Sequence, residues 1–506
     1  MPTTKRAAAA AAAATAALSA TLAPPAAAAH PATPLDRFHH QTITWRACAT
    51  GPDDQLGQQL DAAGAQCATV QVPIDYSRPQ GPALRVAISR IKATDTARRH
   101  GVLLTNPGGP GGSGLSMPLL LTKKTPEIAA RYDLVGMDPR FIGRSSPIRC
   151  QWKTDTFQLS AGLDRRSFDQ GARLAKRLAA GCAQGNLRAL PYASTRNTAR
   201  DMDVIRAALG ERKLSYLGYS YGTYLGATYL QMYGQRADRV VLDSAVDPEA
   251  YGPNLLSSAA PAFDTWLRQW ASWSAARHAK YKLGRTREAV LATIDAINRR
   301  SAKVGAYRVD ARFVPYWLYL RSYSDSAQDY ATLAEEAKAL HRPSRTPPPA
   351  SLLETLQGAY TGGTEKPENR AGIAVLCADR AASRNPGTYY RDIQRHRTTE
   401  PLFGPLVRNI TPCAFWPTRP REQPTTISNA APALIVGATG DTVTPYPGQQ
   451  AMHRALTGSR MITLNGAYRH GVYAAEGNTC VDTKVTRYLL DGDLPGKDIT
   501  CTRPDA

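Results

Sequence analysis

No C-x-x-C pair occurs in the sequence, so the usual zinc and thiol-redox patterns are missing and no metal or cofactor is indicated. One glycine-rich run is present, but it lacks a Gly-Lys-Ser/Thr ending, which argues against a phosphate cradle. There is no long basic run and no nucleic-acid motif, although Lys and Arg outnumber Asp and Glu by 62 to 41. The charges are interspersed. The formal net charge of +21 is therefore read as a solvated surface, with no nucleic-acid partner. Such a surface would be drawn to anionic surfaces such as a cell wall. Beyond the N-terminal leader no stretch is long and apolar enough to span a bilayer, so no integral membrane contact is expected. No internal repeat is evident.

What is present begins with an export pattern. Lys5 and Arg6 precede an Ala-rich apolar run through Ala23, and Ala27-Ala28-Ala29 stands before His30. This is the layout of a secretory signal peptide over residues 1–29, and it implies a secreted protein. Eight cysteines (Cys48, Cys67, Cys150, Cys182, Cys377, Cys413, Cys480 and Cys501) form an even set, which suits four disulfides in an exported chain. Their connectivity stays open, since eight cysteines allow on the order of a hundred pairings. At 506 residues and 43% hydrophobic content, the chain is globular and longer than one ordinary core needs.

Buried strands are read at residues 70–76, 84–88, 101–105, 132–137, 214–217 and 240–244, with a helix over 199–209 closed by Gly210. Strands alternating with helices argue for a mostly parallel α/β sheet over residues 30–247. From residue 248 to 427 the pattern changes. Candidate helices lie at 262–279, 287–300 and 330–340, a Pro-rich loop at 343–349, and no clear βαβ unit appears. This segment is read as a mostly helical lid inserted into the core. Its aromatics (Trp266, Trp270, Trp273, Tyr316, Trp317, Tyr319) are assigned to the lid's own interior. The core resumes over 428–506, with strands at 433–437 and 461–464 and a helix at 483–490.

The chemistry centres on residues 214–226. A short apolar strand runs into Gly218, Ser220 and Gly222, a G-x-S-x-G pattern, and an apolar helix follows. Strand, sharp turn and helix are the setting in which a serine becomes an exposed nucleophile. Residues 106–114 (Asn-Pro-Gly-Gly-Pro-Gly-Gly-Ser-Gly) follow the third strand and let backbone N–H groups approach a ligand closely. Pro107 has no N–H, so Gly108 or Gly109 is the candidate oxyanion donor beside the amide of Tyr221. Ser220, Asp441 and His470 follow the chain order of an α/β-hydrolase triad, each in a loop after a strand. His470 is the candidate base and Asp441 the acid that orients it. Asp243, which also ends a strand, is the rival acid. Asp138 and Arg140 are read as a structural pair near the site.

These motifs resemble the secreted tripeptidyl aminopeptidases of the prolyl-aminopeptidase-type serine peptidase family. The resemblance lies in residues 72–76, 106–114, 197–203 (Asn-Thr-Ala-Arg-Asp-Met-Asp), 214–226, 440–445 and 470–472, across nearly the whole mature chain. It implies an α/β-hydrolase fold with a mostly parallel central sheet and a helical lid, no cofactor, and release of short peptides, tripeptides, from free N-termini. It also implies sequential disulfides: Cys48–Cys67, Cys150–Cys182, Cys377–Cys413 and Cys480–Cys501. Two positions depart from the family pattern. Phe141 stands where the family usually has Gly after Asp138-Pro139-Arg140, which would alter the pocket wall. Leu376 stands before Cys377, where relatives often carry an acid. A lid acid is the natural partner for a substrate's α-ammonium group, and the candidates are Asp379, favoured, with Asp325, Glu335 and Glu336. A carboxylesterase or lipase would use the same triad, and a non-catalytic wall-binding protein would suit the charge but not the triad.

Overall fold

A computed structural model describes residues 1–4, 7, 33–342, 347–362 and 370–503. Most of the expected signal peptide and part of the Pro-rich loop fall outside these described residues.

Nine strands form one sheet. They are β1 (Gln66–Pro73), β2 (Ala83–Ile91), β3 (Gly101–Asn106), β4 (Tyr132–Met137), β5 (Leu214–Tyr219), β6 (Ala237–Asp243), and, after a separate hairpin of β7 (Ala302–Val304) and β8 (Tyr307–Val309), β9 (Ala433–Ala438), β10 (Ser459–Asn465) and β11 (Ile499–Thr502). Their spatial order is β1-β2-β4-β3-β5-β6-β9-β10-β11. The pairings β1–β2 and β2–β4 are antiparallel, and the rest of the sheet is parallel. The sheet is therefore the mostly parallel one of an α/β-hydrolase.

The central strands read as unbroken apolar runs because both of their faces are buried. Side chains alternate between the two faces with period two. Leu104, Tyr216, Leu242 and Ile435 join one cluster with Met202, Leu225 and Met452. Leu103, Leu217, Val241, Leu434 and Val436 join another with Leu121, Ile128, Val481 and Val485. The helices Thr195–Ala208 and Tyr221–Tyr233 cover the first face, and Met117–Lys124 and Thr479–Asp491 cover the second.

Between β6 and β9 the chain is mostly helical and has its own core, with Phe263, Trp266, Trp270, Trp317 and Leu333 fully buried. The helices Ala260–Ala276, Arg287–Arg299 and Ala327–His341 stand where the periodicity places them, within a few residues. The hairpin β7–β8 and strand β11 were not expected: at three or four residues each they are too short for their apolar alternation to stand out.

Two local outcomes differ from the sequence reading. Asp138 and Arg140 do not pair. Asp138 accepts from Ser113 Oγ at 2.5 Å, Gly114 N at 3.1 Å and Arg144 N at 2.8 Å. Arg140 makes a bidentate pair with Asp201 at 2.6 and 2.7 Å, both side chains fully buried. Its other N–H groups reach the carbonyls of Pro73, Ile74 and Tyr192, so the pair joins the end of β1 to the helix Thr195–Ala208. Phe141 lies in the core with φ 67° and lines no part of the cavity described below. Its left-handed backbone, which glycine adopts at less cost, gives a local reason for glycine there.

All eight cysteines pair in sequence order, as the family resemblance implied. No helix among the described residues is long and apolar enough to cross a membrane.

Candidate active site

β5 carries the chain to the middle of the sheet and releases it at Ser220. Ser220 has φ 55° and ψ −124°, a conformation that costs an L-residue energy and persists only when its surroundings enforce it. The enforcement is local. Ser220 N donates to Asp243 O at 3.0 Å, and Thr223 Oγ1 donates to Ser220 O at 2.6 Å. Gly218 and Gly222 meet across the turn: a Cβ on Gly218 would lie 2.4 Å from Gly222 O. The helix Tyr221–Tyr233 begins at the next residue, so its positive end faces the Ser220 hydroxyl.

Asp441 follows β9 and His470 follows β10, strands that are neighbours in the sheet. The loops at their ends therefore meet. His470 Nδ1 lies 3.0 and 3.1 Å from the two carboxylate oxygens of Asp441. Asp441 is buried and fixed by Val443 N, Thr444 N, Thr444 Oγ1 and Gln449 Nε2 at 2.8–3.2 Å. Burial disfavours the imidazolium of His470, but the Asp441 charge and hydrogen bond outweigh it, and the pKa is raised above its ordinary 6.5.

Asp243 does not touch His470 as the rival acid would. It accepts from Val472 N at 3.1 Å, Tyr473 N at 2.7 Å and Ser244 Oγ at 3.0 Å. Burial pushes its carboxyl up to about 7 against those donors. Asp243 thus holds the backbone that follows His470. The amide of His470 itself donates to Tyr323 O at 3.0 Å, and the Tyr323 ring stands edge-on to the imidazole at 5.3 Å. Neither contact was foreseen, because Tyr323 belongs to the helical segment and lies far away in sequence.

Gly109, Ser220, Tyr221 and His470 line one cavity of about 410 Å³. Gly108 does not. Its N–H donates to Asn106 Oδ1 at 2.9 Å, and of the two candidate glycines only Gly109 lines the cavity. The helical segment supplies the opposite wall through Tyr319, Leu376, Leu406 and Ile410. Leu376 comes from the helix Gly372–Asp379, which packs against the glycine loop so closely that a Cβ on Gly372 would lie 1.9 Å from Pro110 O.

None of the four candidate amine-binding acids lines this cavity. Asp325 forms a bidentate pair with Arg503. Glu336 is buried against Arg321, Trp317 Nε1 and Ser351 Oγ. Glu335 is near Lys280 and Lys338. Asp379 is buried and accepts from Thr195 N at 2.7 Å, Thr195 Oγ1 at 2.5 Å and Tyr251 OH at 2.9 Å. Which partner an acid takes is set by tertiary packing, which residue type does not reveal. Among the described residues no group of three or more His, Cys, Asp or Glu side chains is arranged to hold a metal ion.

Comparison with known proteins bears directly on this geometry. The chain is 35% identical to the tripeptidyl aminopeptidase of Streptomyces coelicolor over 480 residues, covering 91% of this chain and 86% of the relative. The chain belongs to the tripeptidyl aminopeptidase family. It is thus a serine hydrolase of the α/β-hydrolase fold, as its sequence motifs implied. A family model described as TAP-like protein matches residues 400–501. Within the same range of similarity, serine protease Hip1 of Mycobacterium tuberculosis is 29% identical over 91% of both chains. Carboxylesterase B of the same organism is 29% identical over 90% of this chain and 89% of its own. Among solved structures, a proline iminopeptidase-related protein from Thermus thermophilus aligns over 83% of this chain and 97% of its own at 13% identity and a TM-score of 0.35, too remote to add to the reading.

Proposed function

We propose that this family member is a secreted serine exopeptidase that releases short peptides, tripeptides, from free N-termini through a Ser220-His470-Asp441 triad and an acyl-enzyme. The observation that carries it is the contact of His470 Nδ1 with both oxygens of buried Asp441, in a cavity that His470 shares with Ser220. His470 Nε2 takes the Ser220 proton as Oγ attacks the scissile carbonyl. Asp441 keeps the other nitrogen protonated and favours the imidazolium that forms. The amides of Tyr221 and Gly109 receive the oxyanion. His470 then passes its proton to the leaving amine, and water releases the acyl group from Ser220 by the same steps in reverse.

In this reading residues 1–29 are the export signal, 30–247 and 428–506 form the hydrolase core, and 248–427 are a lid that roofs the cleft. Four disulfides suit the oxidising space outside the cell, and the excess positive charge suits an anionic wall. A carboxylesterase is the second reading, and the apolar lining of the cavity favours it. Tripeptide p-nitroanilides and p-nitrophenyl esters assayed side by side distinguish the two. Ser220→Ala is expected to lower kcat by roughly 10⁴-fold or more with the fold intact, and a serine-directed phosphonate to label Ser220. Turnover of esters alone overturns the peptidase reading, and full activity of Ser220→Ala overturns the triad.

A further inference from the structure

His470 is held from two sides, and one of them belongs to the helical segment. In that segment the helices Val314–Arg321 and Ala327–His341 are joined by a short link, Ser322 to Ser326. The ends of the link are set by a buried network. Arg321, the last residue of the first helix, pairs with Glu336 of the second at 2.6 and 2.9 Å. Glu336 also accepts from Trp317 Nε1 and from Ser351 Oγ, each at 2.6 Å. A polar network satisfied in this way stiffens the elements it joins.

From this frame the link reaches both loops of the triad. Thr442, the neighbour of Asp441, donates through Oγ1 to Ser322 O at 3.0 Å. The His470 amide donates to Tyr323 O at 3.0 Å. Arg469 Nη1 donates to Ser324 Oγ at 3.2 Å, and Tyr468 N to Asp325 Oδ2 at 3.0 Å. Arg503 in turn holds the Asp325 carboxylate with two hydrogen bonds at 2.6 and 2.7 Å. Four consecutive residues of the helical segment thus grip residue 442 and residues 468–470.

The ring of His470 needs more than its backbone fixed. Asp441 meets it at Nδ1 alone, so the imidazole could still tilt about that contact. The Tyr323 ring stands against it at 5.3 Å between centroids and 86° between planes, an edge-to-face packing with a preferred geometry. The Tyr323 hydroxyl lies 2.8 Å from Tyr319 OH, so it is the ring that meets the imidazole. Tyr323 also lines the cavity that holds Ser220 and His470.

We propose that Tyr323 is a positioning residue for His470, which makes the helical segment part of the proton-transfer machinery as well as a wall. Proton transfer from Ser220 needs Nε2 within hydrogen-bond reach, and a displacement of about 1 Å costs on the order of 10²-fold in rate. A residue that only shaped the cavity would change substrate affinity, whereas one that positions the base changes the chemical step. The inference rests on the Ser220-His470-Asp441 triad but not on whether the acyl group comes from a peptide or an ester.

The test compares Tyr323→Ala and Tyr323→Phe in the full-length enzyme. Tyr323→Leu takes the place of Tyr323→Ala should that variant not fold. The readouts are kcat and KM on a tripeptide p-nitroanilide and a p-nitrophenyl ester, and the rate at which a serine-directed phosphonate inactivates the enzyme. Tyr323→Ala is expected to lower kcat by about 10²-fold with KM within about threefold of wild type, and to slow phosphonate inactivation by at least about tenfold. Tyr323→Leu is expected to lose at least about tenfold in both rates. Tyr323→Phe keeps the ring and is expected to stay within about threefold of wild type throughout. A folded Tyr323→Ala or Tyr323→Leu enzyme with wild-type kcat and inactivation rate overturns the proposal. So does a loss confined to KM, which would make Tyr323 a substrate contact, or a Tyr323→Phe enzyme as impaired as Tyr323→Ala, which would give the role to the hydroxyl. If the peptide anilide is not cleaved, the ester and the phosphonate still decide the matter. If the phosphonate does not label Ser220 in the wild-type enzyme, the triad reading falls and this inference with it.

Discussion

Two aspartates stand at the ends of neighbouring strands, and their contacts separate their roles. Asp441 bonds the His470 ring, whereas Asp243 bonds the amides of Val472 and Tyr473 just beyond it. Asp441→Asn is expected to lower kcat/KM by on the order of 10³- to 10⁴-fold, because the imidazole loses both its tautomer control and its counter-charge. Asp243→Asn keeps one acceptor for those amides and is expected to cost about tenfold. A larger loss for Asp243→Asn would reverse the assignment. The pH profile offers a second readout. The base must be neutral, so activity falls as pH drops through the pKa of His470, and that midpoint is expected above 6.5 because Asp441 favours the imidazolium. In Asp441→Asn the residual activity should have its acid limb at lower pH.

At the scale of elements, the sequence made the elbow legible because local rules fix it: an apolar strand, two glycines that cannot carry a Cβ, and a helix. The unbroken apolar runs of β3, β5 and β9 were legible for a related reason, since strands buried on both faces leave no polar alternation. What stayed hidden was pairing across the fold. Arg140 meets Asp201, not its neighbour Asp138, and Asp325 meets Arg503 from the far end of the chain. No spacing rule covers such distances. The helix Gly372–Asp379 is a further case: its contact with the glycine loop depends on the absence of a side chain at Gly372. Gly372→Ala is expected to push that helix off Pro110, costing about 1–3 kcal/mol of stability from overpacking. Displacement of the oxyanion loop should also lower kcat/KM by about tenfold or more. Retention of full activity and an unchanged denaturation midpoint would show that the contact yields freely.

For the molecule as a whole, the question is how the helical segment stays registered on the core. Asp379 is one tie: it belongs to the helical segment, while Thr195, which gives it two hydrogen bonds, opens a helix of the core. The Cys377–Cys413 disulfide closes within the helical segment and does not by itself join the two parts. Burial pushes the Asp379 carboxyl up to about 7, against the hydrogen bonds from Thr195 and Tyr251 that favour the carboxylate. A carboxyl whose folded pKa lies above its unfolded value of 3.8 binds its proton more firmly in the folded state. The folded protein therefore loses stability from this group as pH rises from about 4 to about 7, and nothing further above that. The slope from one such group is at most about 1.4 kcal/mol per pH unit. Asparagine imitates the protonated form in shape and hydrogen-bonding capacity, so Asp379→Asn should remove the contribution. Urea midpoints measured from pH 5 to 8 are expected to show the variant gaining on the wild type as pH rises, with the gain levelling off near pH 7. A constant difference across that range would mean that Asp379 stays ionised in the folded protein and ties the helical segment to the core as a carboxylate.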